Sequence, residues 1–195
     1  IDRNTGLVSN RVFTANATGA MPLGWIERSP LNHGRHLAGL AFMGGQLYVF
    51  GGDADGFVGE LSIEKATLDG SFRPNAWEEV GTMPSAHRFP TIVQRAGIIY
   101  LVGGEAMEFS ENIIWSSRVS PGTFLNVWTP VASIPSVEAR CVQRSADVLC
   151  ISATHIFPVP AEVRHLTFDN DDNVTSRRLG DKNMAISDVA VNLHG

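Results

Sequence analysis

Cysteine and tyrosine are scarce in this chain, two of each in 195 residues, and helix periodicity is scarcer still. Two cysteines are too few for a disulfide framework that could replace a hydrophobic core. No apolar run exceeds the length of a strand, so no segment spans a bilayer as a helix and membrane insertion is not expected. Excess positive charge is missing as well. A net charge of −5 and a pI near 5.6 argue against nucleic acid as a partner, because phosphate contacts need a basic face. There is no G-x-S-x-G, no H-E-x-x-H and no phosphate-binding loop, so the common sequence signatures of hydrolases, zinc proteases and nucleotide enzymes are absent, and neither a cofactor nor a metal is expected. With 44% hydrophobic and 18% charged residues the composition is that of a folded globular chain.

What is present is repetition. Ala41–Gly52 reads AFMGGQLYVFGG, Val93–Gly104 reads VQRAGIIYLVGG and Val142–Ala153 reads VQRSADVLCISA. Each is an apolar run, a tight turn (Gly44-Gly45, Ala96-Gly97, Ser145-Ala146) and a second apolar run, the pattern of a β-hairpin. A second hairpin recurs between the copies, with turns at Thr18-Gly19, Asp69-Gly70 and Pro121-Gly122 followed by Trp25, Trp77 and Trp128, spaced by 52 and 51 residues. Pro30, Pro84 and Pro135 close the units, where the loss of a backbone donor is tolerated. The best helix candidate, Glu60–Leu68, alternates as well as it winds, and its place in the repeat decides for a strand.

Four strands, a to d, in about fifty residues are the signature of a propeller blade, which cannot bury both faces without neighbours. The fold expected is all-β, one propeller domain over 1–195. In it, 1–31 and 185–195 share a split blade, 32–84 and 85–135 are full blades, and 136–184 is a degenerate one. Ring closure through both ends would place 1–25 beside 185–195 in one sheet. An arc of a larger ring is the other possibility. For the third hairpin, cross-strand pairs summing to 289 set Cys141 diagonal to Cys150, too far for an unstrained disulfide, so two free thiols are expected.

The apolar run, the Gly-Gly pair, the tryptophan about 25 residues later, and Tyr48 and Tyr100 three residues before the glycines together resemble the kelch repeat. The resemblance covers residues 6–153, and the Asp-Gly or Pro-Gly turn before tryptophan is similar to the divergent kelch-like propellers of bacterial and phage proteins. It implies a ring usually larger than four blades, with the ligand surface around the central channel. Some kelch-like propellers are enzymes, among them a copper radical oxidase and a sialic-acid mutarotase. The oxidase needs tyrosine and cysteine near the axis, whereas Tyr48 and Tyr100 fall at equivalent core positions of strand b.

The d-to-a connections and b-to-c loops emerge on one face. That face collects His33, Arg35, His36, His87, Arg88 and Arg140, together with Asp53, Asp55, Glu105 and Glu108. Arginine forks there would bind an acidic group, a sugar or a partner loop. The alternative is that they pair with the neighbouring acids and hold blades together. Met107, Phe109, Ile156 and Phe157 on the same face would make an apolar patch or pack against an adjacent blade. Asp169–Asn173 imitates the start of a calcium loop but has Val174 where glycine is required and Gly180 where glutamate is, so it reads as a solvated turn.

The function expected is a non-catalytic binding or structural module of a larger, multi-subunit assembly, a phage virion or tail component or a bacterial adhesin. Its partner would be a protein or glycan at the loop face, through Arg35, His36, Asp53, His87, Arg88, Glu105, Arg140, Met107, Phe109 and Phe157, on a virion or extracellular surface. The runner-up is part of a carbohydrate-active kelch-like enzyme such as a sialic-acid mutarotase, with Arg88, Arg140 and His87 at the channel.

Overall fold

The computed structural model describes residues 7–17, 22–55, 58–71, 73–106, 112–119, 125–136, 138–144, 147–153, 161–169 and 173–182. No α-helix occurs among them. Strands β1 (Val12–Ala17) and β2 (Pro22–Arg28) pair with each other as a two-stranded sheet. Next, β3 (Gly39–Met43), β4 (Gln46–Phe50), β5 (Ser62–Leu68) and β6 (Pro74–Thr82) form the first four-stranded antiparallel sheet. After the two-residue β7 (His87–Arg88) come β8 (Thr91–Arg95), β9 (Ile98–Val102), the short β10 (Gly104–Ala106), β11 (Asn112–Arg118) and β12 (Thr129–Ile134). Of these, β8, β9, β11 and β12 make the second sheet. The third is β13 (Glu138–Arg144), β14 (Asp147–Ala153), β15 (Ala161–Phe168) and β16 (Val174–Lys182), and β10 joins the free edge of β13 with β7 outside it.

The sheets stack in chain order, and side-chain alternation shows which face meets which neighbour. Along β9, Ile99 and Leu101 join Tyr48, Phe50 and Ile63 of the first sheet, while Ile98, Tyr100 and Val102 join Val148, Cys150, Leu166 and Phe168 of the third. Both faces of β9 are therefore dry, which explains its unbroken apolar run, IIYLV. Along β4 the same logic sends Tyr48 and Phe50 to the second sheet and Val49 to the hairpin, where it meets Leu31, Ala66, Trp77 and Val12.

The glycine pairs work at the strand ends that converge. Gly52 (φ 95°) and Gly104 (φ 84°) hold conformations that side-chain-bearing residues rarely adopt, and a Cβ there would lie 2.3 Å from the His36 carbonyl and 2.4 Å from the Arg88 carbonyl. Close backbone approach is what glycine permits. It lets the Gly52 N–H reach the His87 carbonyl at 3.2 Å and places Gly104 opposite Ala139, so each sheet is hydrogen-bonded to its successor.

Two expectations are corrected. Cys141 and Cys150 sit directly opposite each other and form a disulfide. A two-residue turn pairs its flanking residues, Arg144 with Asp147, so partners sum to 291 rather than 289, and opposed Cβ atoms are within disulfide reach. The native chain is accordingly expected to weigh two hydrogens less than its reduced form, with no thiol free to react after unfolding without reductant, as intact-mass measurement would show. Trp128, expected within strand d, precedes β12 instead. The proposed pairing of 1–25 with 185–195 involves 1–6 and 183–195, which lie outside the described residues. Among the described ones the sheets do not close into a ring.

Candidate functional site: the loop face between the sheets

Local sequence puts the charged residues together through the same kink in two repeats. Leu37 (φ 58°) and Phe89 (φ 51°) take left-handed conformations, turning the chain between the short segment that carries His36 or Arg88 and the following strand, β3 or β8. His36 then exchanges two backbone hydrogen bonds with Asp53, at 3.0 and 2.8 Å, and Arg88 is paired in the same way with Glu105. Asp53 and Glu105 are 52 residues apart, so these are one arrangement repeated.

The side chains link the repeats. Asp53 is fully buried and its Oδ2 lies 2.6 Å from Nε of Arg88, which reaches Glu105 at 3.5 Å on its other side. The Asp53 carboxylate raises the already high pKa of Arg88 through its hydrogen bond, offsetting the cost of burial. His36 approaches the same carboxylate at 3.9 Å. One sheet further on, Arg140 pairs with Glu138 at 2.8 Å and its guanidinium lies 3.6 Å above the Phe89 ring, a cation–π contact. Oδ1 of Asp53 and Nη1 of Arg140 are buried without a hydrogen-bond partner among the described residues.

Arg35 and His87 are not offered to this face. Arg35 is buried, its Nη2 donating to Glu64 Oε1 and Ser62 Oγ at 2.6 Å each and its Nη1 to the Ser62 carbonyl at 2.8 Å. His87 is buried, with Nδ1 3.1 Å from the Gly103 carbonyl and Nε2 2.9 Å from Ser85 Oγ. A carbonyl only accepts, so Nδ1 carries the proton and Nε2 accepts from the serine hydroxyl. Burial pushes the His87 pKa down to about 4, with the Gly103 hydrogen bond opposing. The folded state thus binds a proton less readily than the unfolded chain. Its contribution is fully present above pH 6.5 and is lost as the pH falls through 4, on the order of 3 kcal/mol in all. Urea titrations at pH 7 and pH 4 should show this loss in the native chain and a smaller one in His87→Gln.

Met107, Phe109 and Glu108 lie outside the described residues, as do Ile156 and Phe157. His33 lies 3.2 Å from Glu79 and 3.9 Å from Glu60. Asp55 accepts a hydrogen bond from the Val8 N–H, and Asp169 closes the β15–β16 turn by accepting from the Asn173 backbone and side chain, at 2.9 Å each. The sequence alone did not single out Glu64 and Glu138, which neutralise two of the arginines. Both sit at alternating positions of strands, and an acid at an inward position of a strand beside an arginine-bearing repeat was the available signal.

No family model matches the chain, and no curated protein does. A solved structure titled "Structure of YjhT" is similar over 92% of this chain, at 16% identity and a TM-score of 0.64. The fold is β-propeller-like, and among the described residues its sheets do not close. The chain spans 60% of the length of that structure. At this identity the likeness concerns the fold alone.

Proposed function

We propose that this chain is an arc of a kelch-like propeller that acts as a non-catalytic binding and structural module of a larger surface assembly, such as a virion tail or a bacterial adhesin. The observation that carries this reading is the apolar end of the stack. Trp77 sends its indole N–H to the Ser29 carbonyl at 3.0 Å, and Trp128 sends its own to the Thr82 carbonyl at 2.7 Å, each reaching back to the end of the preceding sheet's last strand or the residue just past it. Trp25 occupies the same place in the repeat and meets no such carbonyl among the described residues: it is 69% exposed, on the outer face of the hairpin with Phe13. Leu40 (63%) and Phe42 (54%) of β3 are also bare, on the face where inner strands of the hairpin's own sheet would lie. Exposed apolar area of this kind marks an interface.

Three further features support the reading. Among the described residues the charged groups of the loop face neutralise one another, and the serine–histidine pair Ser85–His87 is buried away from it. Arg88 and Arg140, with side chains 19% and 23% exposed, keep part of their length within reach of a polar partner such as a glycan. The disulfide suits a chain that matures in an oxidising compartment, as surface proteins do.

Sedimentation velocity and a hydrophobic dye test the proposal. The purified chain should associate with rising concentration and bind the dye, and the double variant Trp25→Ser, Phe42→Ser should do both less. A monodisperse chain that binds no dye would overturn the assembly reading, and specific turnover of sialic acid would overturn the non-catalytic one.

A further inference from the structure

A cleft of about 390 Å³ opens at the outer rim between the end of β2 and the β5–β6 turn and is lined by Glu27, Arg28, Ser29, Asp69, Arg73 and Asn75. Its charged groups differ in how far their hydrogen-bonding capacity is used. Glu27 is engaged by Arg11, whose Nε and Nη2 donate to its two oxygens at 2.7 and 2.8 Å. Asp69 accepts from the backbone N–H groups of Ser71 and Arg73 at 2.8 and 3.0 Å, the same closure that Asp169 makes at the β15–β16 turn. These contacts hold both carboxyls below their ordinary pKa, Glu27 first through the Arg11 hydrogen bond and Asp69 first through the Arg73 N–H. The acids of the cleft are therefore ionised and already supplied with donors.

The bases are not supplied with acceptors to the same degree. Arg28 gives its Nε to Thr14 Oγ1 at 2.8 Å, which leaves its two terminal amino groups. Arg73 has a buried Nε out of a ligand's reach, and its terminal amino groups make no hydrogen bond to a described residue, Asp69 acting on both arginines only through its charge. Two guanidinium groups with unused N–H groups on one cleft make a fork for an oxyanion. Ser29 and Asn75 beside them provide neutral partners for hydroxyl groups, and the cleft is several times larger than a bare carboxylate needs.

From this arrangement we infer that the rim cleft between Arg28 and Arg73 is a second binding site, taking the carboxylate of a small hydroxylated acid of hexuronate size. The two arginines belong neither to the loop face nor to the apolar end, so substituting them tests this site alone.

The probe is glucuronate, with glucose and inorganic sulfate as comparisons, followed by titration calorimetry and by amide shifts at Ser29 and Asn75. Glucuronate should bind in the millimolar range or tighter and move those amides, and glucose should do neither. Arg28→Ala and Arg73→Ala should each weaken binding by about tenfold, as loss of a charge-assisted hydrogen-bond pair does. Arg73→Lys keeps the charge without the planar fork and should weaken it by about threefold, which covers the case in which the alanine variant folds poorly. Sulfate binding as tightly as glucuronate would mean a general anion site and would overturn the hydroxyl-acid assignment. No glucuronate binding, or binding that the arginine substitutions leave unchanged, would overturn the site altogether.

Discussion

Replacing Glu64 by alanine is expected to cost about 3–5 kcal/mol, among the largest losses any single substitution in this chain should produce. The Glu64 and Arg35 side chains are 0% and 1% exposed and meet at 2.6 Å. Removing the carboxylate strands a guanidinium in the interior, and it also takes the acceptor from the Asn32 and His33 backbone N–H groups, which now donate to Glu64 at 2.7 and 3.1 Å. The size of the loss reflects the charge left behind rather than the worth of the pair. An apolar double replacement, Glu64→Leu with Arg35→Met, should therefore recover the part due to the stranded charge, leaving the loss of the acceptor for the Asn32 and His33 N–H groups. Denaturant titration of the two single variants and the double variant measures this directly. If the double variant is as unstable as the sum of the singles, the two groups are not coupled and the buried pair has been misread.

The second large effect separates two tryptophans that the repeat makes equivalent. Trp77→Ala should destabilise by roughly 3–5 kcal/mol, because the ring is 8% exposed and packed with Leu31, Val49 and Ala66, and its loss leaves a cavity between the hairpin and the first sheet. Trp25→Ala should change the stability of the isolated chain by less than about 0.5 kcal/mol, since most of that ring already faces water. The shift of the unfolding midpoint in guanidinium, with the slope held constant, reads both. Equal shifts would mean that Trp25 is buried in solution and that the apolar end is covered.

The strands and their grouping into four-stranded sheets were legible because hairpin signals are local. Gly44-Gly45 and Ala96-Gly97 sit between β3 and β4 and between β8 and β9, where an apolar–turn–apolar pattern puts them. Glu60–Leu68, ambiguous by periodicity, contributes β5, Ser62–Leu68. The roles of the arginines were not legible. Arg35, Arg88 and Arg140 all precede or open an inner strand, yet one is interior, one bridges two repeats and one lies on an aromatic ring. What separates them is the partner: Glu64, 29 residues from Arg35, or Asp53 from the preceding repeat, or Phe89. Those distances in sequence carry no signal of their own. Trp25 shows the same limit from the other side, because a repeat tells what a residue is suited to pack against and not whether that neighbour is there.

The stack has different faces at its two ends. The hairpin end bears Trp25 and Phe13, and the far face of the third sheet bears a different set of side chains, among them Val142, Ile151 and Val163, none of them fully buried. Two unlike surfaces cannot meet through a two-fold axis. Hairpin end against hairpin end closes a two-fold dimer, whereas copies that set the hairpin end of one against the far face of the next join head to tail, with the same rotation at every step. The turn between successive sheets then decides the product: a rotation that divides the circle evenly gives a closed ring of copies, and any other gives a filament that grows from both tips.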